Sequence, residues 1–265
     1  MELLELVTTG DRWSAEGRAE AADRGMFVKE LEEALLDGRA HLAVHSAKDL
    51  PTELPEGLAV LAVPPREDPR DVLVGATSVD LLPSGARVGT GSPRRSAQLL
   101  MARPDLEIVP IRGNVDTRLG KLDRGEVDAL VLAAAGLARL GITRPDVAHL
   151  DPAVSTPAPG QGLLAIEGRV DDEATREALA VLDDPSGVEA LQAERALLAA
   201  LGGGCMTPAG ALCTSEGHGL RLRLTVFRSA DASGAGGRRA SVDGPAGDPL
   251  TLAARAAAAL AGSGA

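Results

Sequence analysis

Two short segments of the sequence carry side chains that could take part in catalysis. Residues 45–49 (HSAKD) follow an apolar run that predicts a strand, so their polar groups would lie at the end of that strand. Asp49 could stabilise a developing cation or hold a proton, and Lys48 could bind an anion. Residues 202–205 (GGGC) form a loop that can approach a ligand closely and presents Cys205 as a candidate nucleophile or attachment point. The alternatives are a turn residue at Asp49 and an inert thiol at Cys205.

A glycine-rich turn before a predicted helix indicates an anion site. In residues 89–95 (GTGSPRR), Ser92 suits the N-cap of a helix that begins with proline. The N–H groups of such a turn, with the hydroxyls of Thr90 and Ser92, bind anionic oxygen atoms. Arg94 and Arg95 would oppose the helix dipole, so a ligand would explain their placement. The turn is neither a Walker loop nor a complete GxGxxG motif, which favours a small carboxylate or phosphate over a nucleotide. A plain capped helix is the alternative.

Three more arginines follow or flank predicted strands. Arg112 ends one strand, Arg118 lies on the next helix, and Arg139 follows a third strand. If these strands are parallel, their carboxyl ends share one edge of the sheet. Guanidinium groups bind carboxylates with two hydrogen bonds, so the cluster predicts a polycarboxylate ligand. Arg118 could instead pair with Asp123 or Glu126.

The composition excludes several classes of protein. The 265 residues include 27 Lys+Arg and 38 Asp+Glu, and the net charge of −11 opposes binding to duplex DNA or to an anionic membrane. With one Trp, two Phe and no Tyr, the chain is poorly equipped to stack on bases. Two cysteines without CxxC spacing and four scattered histidines predict neither a metal site nor a disulfide framework. No signal sequence and no run of about 18 apolar residues are present, so we expect a cytoplasmic protein.

The order of elements predicts an α/β protein of three domains. Apolar strands alternating with helices predict a mainly parallel sheet buried on both faces. Two proline-rich stretches, residues 64–71 (the first crossing) and 155–162 (the second crossing), predict a chain that leaves one α/β domain and returns to it, which makes a hinge beside a ligand cleft. Short strands and an Ala-rich helix after Cys205 predict a small α+β domain, with a flexible loop at residues 229–237 (SADASGAGG). The predicted domains are 1–66 with 160–178, 67–159, and 179–265.

Seven runs of sequence occur in an order that is typical of one enzyme family. They are GMFVKELEEALL from Gly25, VHSAKDLPTELPEGL from Val44, REDPRDVLV from Arg66, GTGSPRRSAQL from Gly89, RPDLEIVPIRGNVDTRLGKLDRGEVDALVLAAAGLARLG from Arg103, PAPGQGLLAIEGR from Pro157 and GGGCMTPAG from Gly202. From about Leu6 to Cys213 the chain resembles the porphobilinogen deaminase, or hydroxymethylbilane synthase, family.

The resemblance implies two hinged α/β domains of periplasmic-binding-protein-like plan, a small α+β C-terminal domain, and a monomer without nucleic-acid or membrane partners. It implies a transferase of porphyrin biosynthesis that deaminates porphobilinogen and joins four molecules head-to-tail into hydroxymethylbilane. Loss of ammonia gives an azafulvene-type cation, which the free α-carbon of the growing pyrrole chain attacks. The chain grows on a dipyrromethane cofactor held by a thioether to cysteine.

The resemblance also assigns roles to individual residues. Asp49 matches the catalytic aspartate and Cys205 the cofactor attachment point. The positions that match cofactor-carboxylate ligands are Lys48, Thr90, Ser92, Arg94, Arg95, Arg112 and Arg118, and the positions that match substrate ligands are Arg24, Phe27, Arg139 and Gln161.

The sequence departs from the family pattern in three places. It begins beyond the usual N-terminal strand and helix with their TRxSxLA-like motif, Arg24 replaces the lysine of a GGKG loop, and Gly91 replaces a hydroxyl residue. We therefore expect this form to be poorly active and less stable than an extended one. The alternative is a non-catalytic polycarboxylate-binding module or an inactive truncated form, although the presence of Asp49 and Cys205 favours the enzyme.

Overall fold

The chain forms three β-sheets with helices packed on them, in a computed structural model that describes residues 2–4, 6, 28–203, 207–216 and 221–262. The α/β class predicted from the sequence is confirmed. Within these residues, no helix has the length and apolar character needed to cross a membrane.

Sheet I is antiparallel and contains a strand from late in the chain. Its strands are β1 (Leu42–Ser46), β2 (Leu58–Ala62) and β8 (Leu164–Arg169), with β8 between the other two. Helix α1 (Lys29–Leu36) packs Leu35 against the sheet. The central place of β8 means that the chain returns to sheet I after building another sheet, as the sequence predicted.

Sheet II has five strands in the order β5-β4-β6-β3-β7. They are β3 (Asp71–Val74), β4 (Arg87–Gly89), β5 (Glu107–Val109), β6 (Ala129–Ala133) and β7 (Val147–His149). β4 is parallel to β5 and β6, but β3 is antiparallel to β6 and β7. Because β7 is antiparallel to β3, it runs in the same direction as β4, β5 and β6, and β3 alone opposes the other four strands of the sheet. The prediction of a mainly parallel sheet therefore holds for sheet II, but not for the antiparallel sheet I. Helical connections allow β4, β5 and β6 to run in one direction, whereas β3 starts from the first crossing at the edge where β6 ends and so runs the opposite way.

Three helices connect the strands of sheet II and bury both of its faces. They are α2 (Pro93–Ala102), α3 (Val115–Asp123) and α4 (Ala134–Arg139). One apolar cluster contains Leu73 and the other contains Val72, its neighbour on β3. Because alternate residues of a strand point to opposite faces, the two clusters cover the two sides of the sheet. The prediction of burial on both faces is thus confirmed.

Sheet III and two long helices form the C-terminal α+β unit. After α5 (Glu173–Leu179) come α6 (Pro185–Ala200), β9 (Ala209–Glu216), β10 (Arg221–Arg228), β11 (Arg238–Pro245) and α7 (Pro249–Gly262). The sheet is antiparallel in the order β11-β10-β9, and its core is continuous with Leu163 and Val63 beside sheet I. The predicted domain limits stay a prediction.

Two residues of the loop at 229–237 are buried, whereas residues 230–233, 235 and 236 are exposed, so the flexibility indicated by its composition stays a prediction. Ser229 is buried, and its N–H group donates to Pro208 O at 2.9 Å. Gly234 is also buried and lies on Ala97 of α2. Composition shows that the residues are small and polar, but not that another element lies against them.

Candidate active site

The loops that follow β4, β5 and β6 lie at one edge of sheet II, because these three strands are parallel. The loop after β4 packs closely on the end of β5. The Thr90 N–H donates to Val109 O at 3.1 Å, and a Cβ on Gly91 would lie 2.9 Å from Ile111 O. The strand ends that carry the predicted anion loop and arginines are therefore neighbours.

The second crossing holds the turn that carries Lys48 and Asp49. This turn, the 3₁₀ segment Ala47–Asp49, follows β1. The Ala47 N–H donates to Leu163 O at 3.0 Å. Gly160 has a φ of +76°, and a Cβ there would lie 3.0 Å from Lys48 N, so this close approach requires glycine. The returning chain therefore fixes the backbone of the turn.

A cavity of about 240 Å³ lies where sheets I and II meet at this edge. Ser46 and Lys48 line it from the end of β1, Arg139 lines it from the end of α4, and residues 160–163 form another wall. Arg139 Nη2 also donates to Gly162 O at 2.7 Å, which ties α4 to the second crossing. The ammonium of Lys48, just after a strand of sheet I, and the guanidinium of Arg139, on the helix that follows a strand of sheet II, thus line one cavity. Two such cations suit a ligand with carboxylate groups.

Arg94 and Arg95 point into the protein and share the buried carboxylate of Asp71. Arg94 Nη1 lies 2.7 Å from Asp71 Oδ2, and Arg95 Nη2 lies 2.7 Å from Asp71 Oδ1. Burial alone would raise the pKa of Asp71, but the two guanidinium groups outweigh it and hold that pKa well below its usual range. Arg94 also donates to Thr156 O at 2.5 Å, and Arg95 to Val131 O at 3.0 Å. These two predicted cofactor ligands therefore bind protein acceptors in this structure.

Gln161 lies inside the junction of the two crossings. Its side-chain Nε2 donates to Pro69 O at 2.7 Å and to Asp71 Oδ1 at 2.9 Å, while its backbone carbonyl oxygen accepts from Arg66 Nε at 2.9 Å. The residue is 1% exposed. The structure thus places this predicted substrate ligand where its amide group joins one crossing to the other.

A second buried carboxylate, Glu194 on α6, joins both crossings to sheet III. It accepts from Arg66 Nη1 at 2.7 Å, from Gly160 N at 2.6 Å and from Cys213 N at 2.8 Å. These donors come from the first crossing, the second crossing and β9. Sequence reasoning missed Glu194, although it holds three parts of the molecule together.

Arg112 and Arg118 flank the turn between β5 and α3. Arg112 is exposed, and Arg118 Nε donates to the backbone at Gly113 O, 2.7 Å away. The two acids considered as alternative partners of Arg118, Asp123 and Glu126, form ion pairs with other arginines. Both predicted ligands therefore lie at the edge where the parallel strands end.

Three predicted site residues, Arg24, Phe27 and Cys205, lie outside the described residues. The other cysteine, Cys213, is buried, and burial together with the nearby carboxylate of Glu194 raises the pKa of its thiol to about 12. A thiol that stays protonated and out of solvent is a poor nucleophile. This environment supports the choice of Cys205 over Cys213 as the attachment point.

Comparison with known proteins identifies the family. Residues 1–177 match the family model described as "Porphobilinogen deaminase, dipyromethane cofactor binding domain", and residues 188–262 match "Porphobilinogen deaminase, C-terminal domain". The porphobilinogen deaminase of Acidothermus cellulolyticus is 50% identical over 272 residues, which cover 100% of this chain and 81% of that protein. The porphobilinogen deaminase of Pelobacter propionicus is 52% identical over 221 residues, 83% of this chain and 71% of that protein. The chain therefore belongs to the porphobilinogen deaminase family.

Proposed function

We propose that this chain deaminates porphobilinogen and joins four molecules head-to-tail into hydroxymethylbilane, using dipyrromethane attached to Cys205. The observation that carries the proposal is the cavity lined by Lys48 and Arg139, next to the turn that ends at Asp49. Porphobilinogen has two carboxylates and an aminomethyl group, whose nitrogen leaves as ammonia while its carbon stays on the pyrrole as the reacting carbon of the cation. Cations for the carboxylates and one carboxylate for the resulting cation are the groups that this reaction needs.

The residues at this edge fit a polycarboxylate cofactor. Lys48, Arg112 and Arg118 supply positive charge, and Ser92 lies at the N-cap of α2, where the first-turn N–H groups of the helix favour an anion. When bound, dipyrromethane supplies the pyrrole end to which substrate units are added. The chain's own residues hold its carboxylates, and the Cys205 thiol holds it covalently.

Asp49 is proposed as the catalytic residue. Its carboxylate would face the cation that porphobilinogen becomes on losing ammonia, and a fixed negative charge lowers the energy of that cation in a site from which water is excluded. Lys48 and Arg139 would bind the substrate's carboxylates and so orient its reacting carbon. The second crossing, which packs on the turn through Gly160, keeps this arrangement fixed.

Arg94 and Arg95 do not line the cavity and are proposed to act on the ligand through their charge, whereas Gln161 belongs to the wall formed by residues 160–163. Their donors reach Asp71 and backbone carbonyl groups. Two guanidinium groups share the one carboxylate of Asp71, so a net positive charge remains to favour bound carboxylates, and their contacts fix the start of α2. Direct contact between these side chains and the cofactor stays a prediction.

We also propose that the enzyme is a monomer of the cytoplasm that acts on a small molecule without nucleic-acid or membrane partners. The net charge of −11 supports the part of this proposal that concerns nucleic acids and anionic membranes, because it opposes association with polyanions. Light scattering on the purified chain measures the oligomeric state.

Intact mass and bilane production test the proposed function. The parent chain should carry the extra mass of dipyrromethane, and Cys205→Ser should have the bare sequence mass and form no hydroxymethylbilane. Cys213→Ser is the control and should keep both properties. A bare mass for the parent chain with no turnover would favour a binding module, and a fully active Cys205→Ser would contradict the attachment site.

A further inference from the structure

Residues 229–239 of the C-terminal unit lie directly on α2, the helix that follows the anion loop. Gly234 has a φ of +82°, and a Cβ there would overlap the carbonyl oxygen of Ala97. A Cβ on Gly237 would overlap the sulfur of Met101, one turn further along the same helix. The backbone of the segment thus approaches α2 as closely as two glycines allow.

The segment keeps its shape through its own hydrogen bonds. Ser229 Oγ donates to Ala235 O at 3.2 Å, and the Ser233 N–H donates to Asp231 Oδ1 at 2.8 Å. The Gly237 N–H donates to the carbonyl oxygen of Gly234 at 3.0 Å. These bonds form a compact turn that presents Gly234 and Gly237 to α2.

Arg239, at the end of the segment, extends the contact to the second crossing. Its Nη2 donates to Val154 O at 2.8 Å and to Gln98 Oε1 at 3.3 Å, and its guanidinium carbon lies 5.1 Å from the ring centroid of Phe227. The fully buried Gln98 in turn donates from Nε2 to Thr156 O at 3.0 Å, and its Oε1 accepts from Thr156 N at 2.8 Å. The carbonyl oxygen of Thr156 is also an acceptor for the Arg94 side chain described above.

A continuous path of contacts therefore runs from β11 to the anion-loop helix. Its steps are Arg239 to Gln98, Gln98 to Thr156, and Thr156 to Arg94. Gln98 and Arg94 both lie on α2, so the path fixes the helix at two points as well as through the two glycine contacts.

We propose that residues 229–239 are a positioning element that holds α2 and the second crossing in place against the C-terminal unit. The consequence for catalysis rests on the proposed function: Cys205 lies in the chain between α6 and β9 of the C-terminal unit, while α2 follows the loop proposed to bind the cofactor's carboxylates. The element would therefore fix the two anchoring points of one covalently held ligand relative to each other. It touches neither substrate nor reacting atoms.

Two glycine substitutions distinguish the effect of losing this contact from the effect of backbone strain alone. Gly234→Ala introduces both a positive-φ penalty and the overlap with Ala97. Gly236→Ala is the matched control, because Gly236 has a φ of +62° but its Cβ would meet nothing within 4 Å. Hydrogen exchange of the α2 amides should rise by at least about tenfold in Gly234→Ala relative to Gly236→Ala. Equal exchange in the two variants would overturn the proposal.

A second pair of variants serves if Gly234→Ala fails to fold. Arg239→Gln removes the contacts with Gln98 and Val154, and Arg223→Gln removes an exposed arginine from the same sheet. In Arg239→Gln only, we expect faster exchange across α2 and residues 154–156 and incomplete cofactor mass. We also expect its KM for porphobilinogen to rise about tenfold, while kcat per cofactor-loaded chain is retained.

The outcomes distinguish this proposal from the proposed function. A parent chain with no adduct and no bilane would refute the function, and the exchange comparison would still decide whether the segment positions α2. If the parent is active and exchange rises without any change in KM or cofactor mass, the segment holds α2 in place but its proposed role in positioning the cofactor is wrong.

Discussion

Two groups of basic residues in this protein differ in their surroundings, since one group lines a cavity and the other pairs with buried carboxylates. Lys48 and Arg139 line a cavity between two sheets. Arg66, Arg94 and Arg95 come from the same part of the molecule, but each lies 2.7 Å from a carboxylate that is fully buried. The position of a basic residue near the carboxyl end of a strand therefore does not by itself show that the residue binds a ligand. The presence of a buried acid partner decides whether its charge is used inside the protein.

The difference predicts different consequences of mutation for the two groups. A buried guanidinium has lost its water and depends on its carboxylate, so removal of that acid destabilises the fold. A cation that lines a cavity can bind a ligand, so we expect its removal to weaken binding and to destabilise the fold by no more than about 1 kcal/mol, the contribution of one hydrogen bond such as that of Arg139 to Gly162 O. Stability and kinetics measured on the same variants separate the two groups.

The largest effect is expected from Asp71→Asn. The substitution keeps the shape of the side chain but leaves two buried guanidinium groups without their counter-charge. We expect the free energy of unfolding to fall by about 3–5 kcal/mol, measured by urea denaturation. Asp128→Asn is the control, because the partly exposed pair of Asp128 with Arg87 should contribute at most about 1 kcal/mol. Equal losses in the two variants would remove the distinction between buried and exposed partners.

Asp49→Asn should show the opposite pattern, with a large loss of turnover and little loss of stability. The amide is nearly isosteric with the carboxylate but carries no negative charge for a cationic intermediate. We expect kcat to fall by about 10²–10³, while the thermal midpoint stays within a few degrees of that of the parent chain. Asp37→Asn, at an exposed position after α1, should change neither quantity. A loss of only a few-fold in kcat would remove Asp49 from the catalytic role.

The sequence predicted the features that depend on periodicity and chain order. Ser92 is the N-cap residue of α2, with proline next, although its side chain makes no capping hydrogen bond; its N–H instead donates to Thr90 Oγ1 at 3.2 Å. The return of β8 to sheet I followed from the proline-rich second crossing. The sequence signals for these features are local, because the residues that make up each signal lie close together in the chain.

The partners of buried charges could not be predicted in the same way, because they come from distant parts of the chain. Asp71 binds arginines more than 20 residues away, and Glu194 binds Arg66, which lies 128 residues away. One signal was nevertheless available. Glu194 lies three residues from both Leu191 and Leu197, on the apolar side of α6, and a charge in such a place requires a buried partner.

An intermediate effect is expected from the cations that line the cavity. Lys48→Gln and Arg139→Gln each remove a charge that we propose binds a carboxylate. Each should raise KM for porphobilinogen by about 10–100-fold, the equivalent of one charge-assisted hydrogen bond, with the thermal midpoint almost unchanged. Steady-state kinetics and thermal unfolding on the same preparations measure both quantities.

Arg87→Gln provides the comparison for these two variants, because Arg87 lies on sheet II at the opposite end of β4. It should leave KM at the parent value. If Arg87→Gln and Arg139→Gln raise KM equally, the effect comes from the overall charge of the protein and not from the cavity.

The smallest effect concerns acid pH and tests whether Asp71 is ionised in the folded chain. Its folded-state pKa is held below the usual range by Arg94 and Arg95, which outweigh the opposing effect of burial. In the unfolded chain the pKa is about 3.9, so the unfolded state binds more protons as the pH falls. The stabilisation is therefore complete above this value and is lost on acidification.

Below about pH 4, the difference in unfolding free energy between the parent chain and Asp71→Asn should shrink by about 1.4 kcal/mol per pH unit. Urea unfolding of both proteins at a series of pH values measures this difference, in which carboxyl groups common to both cancel. A difference that stays constant down to about pH 3 would mean that Asp71 is not an ionised partner of the two arginines.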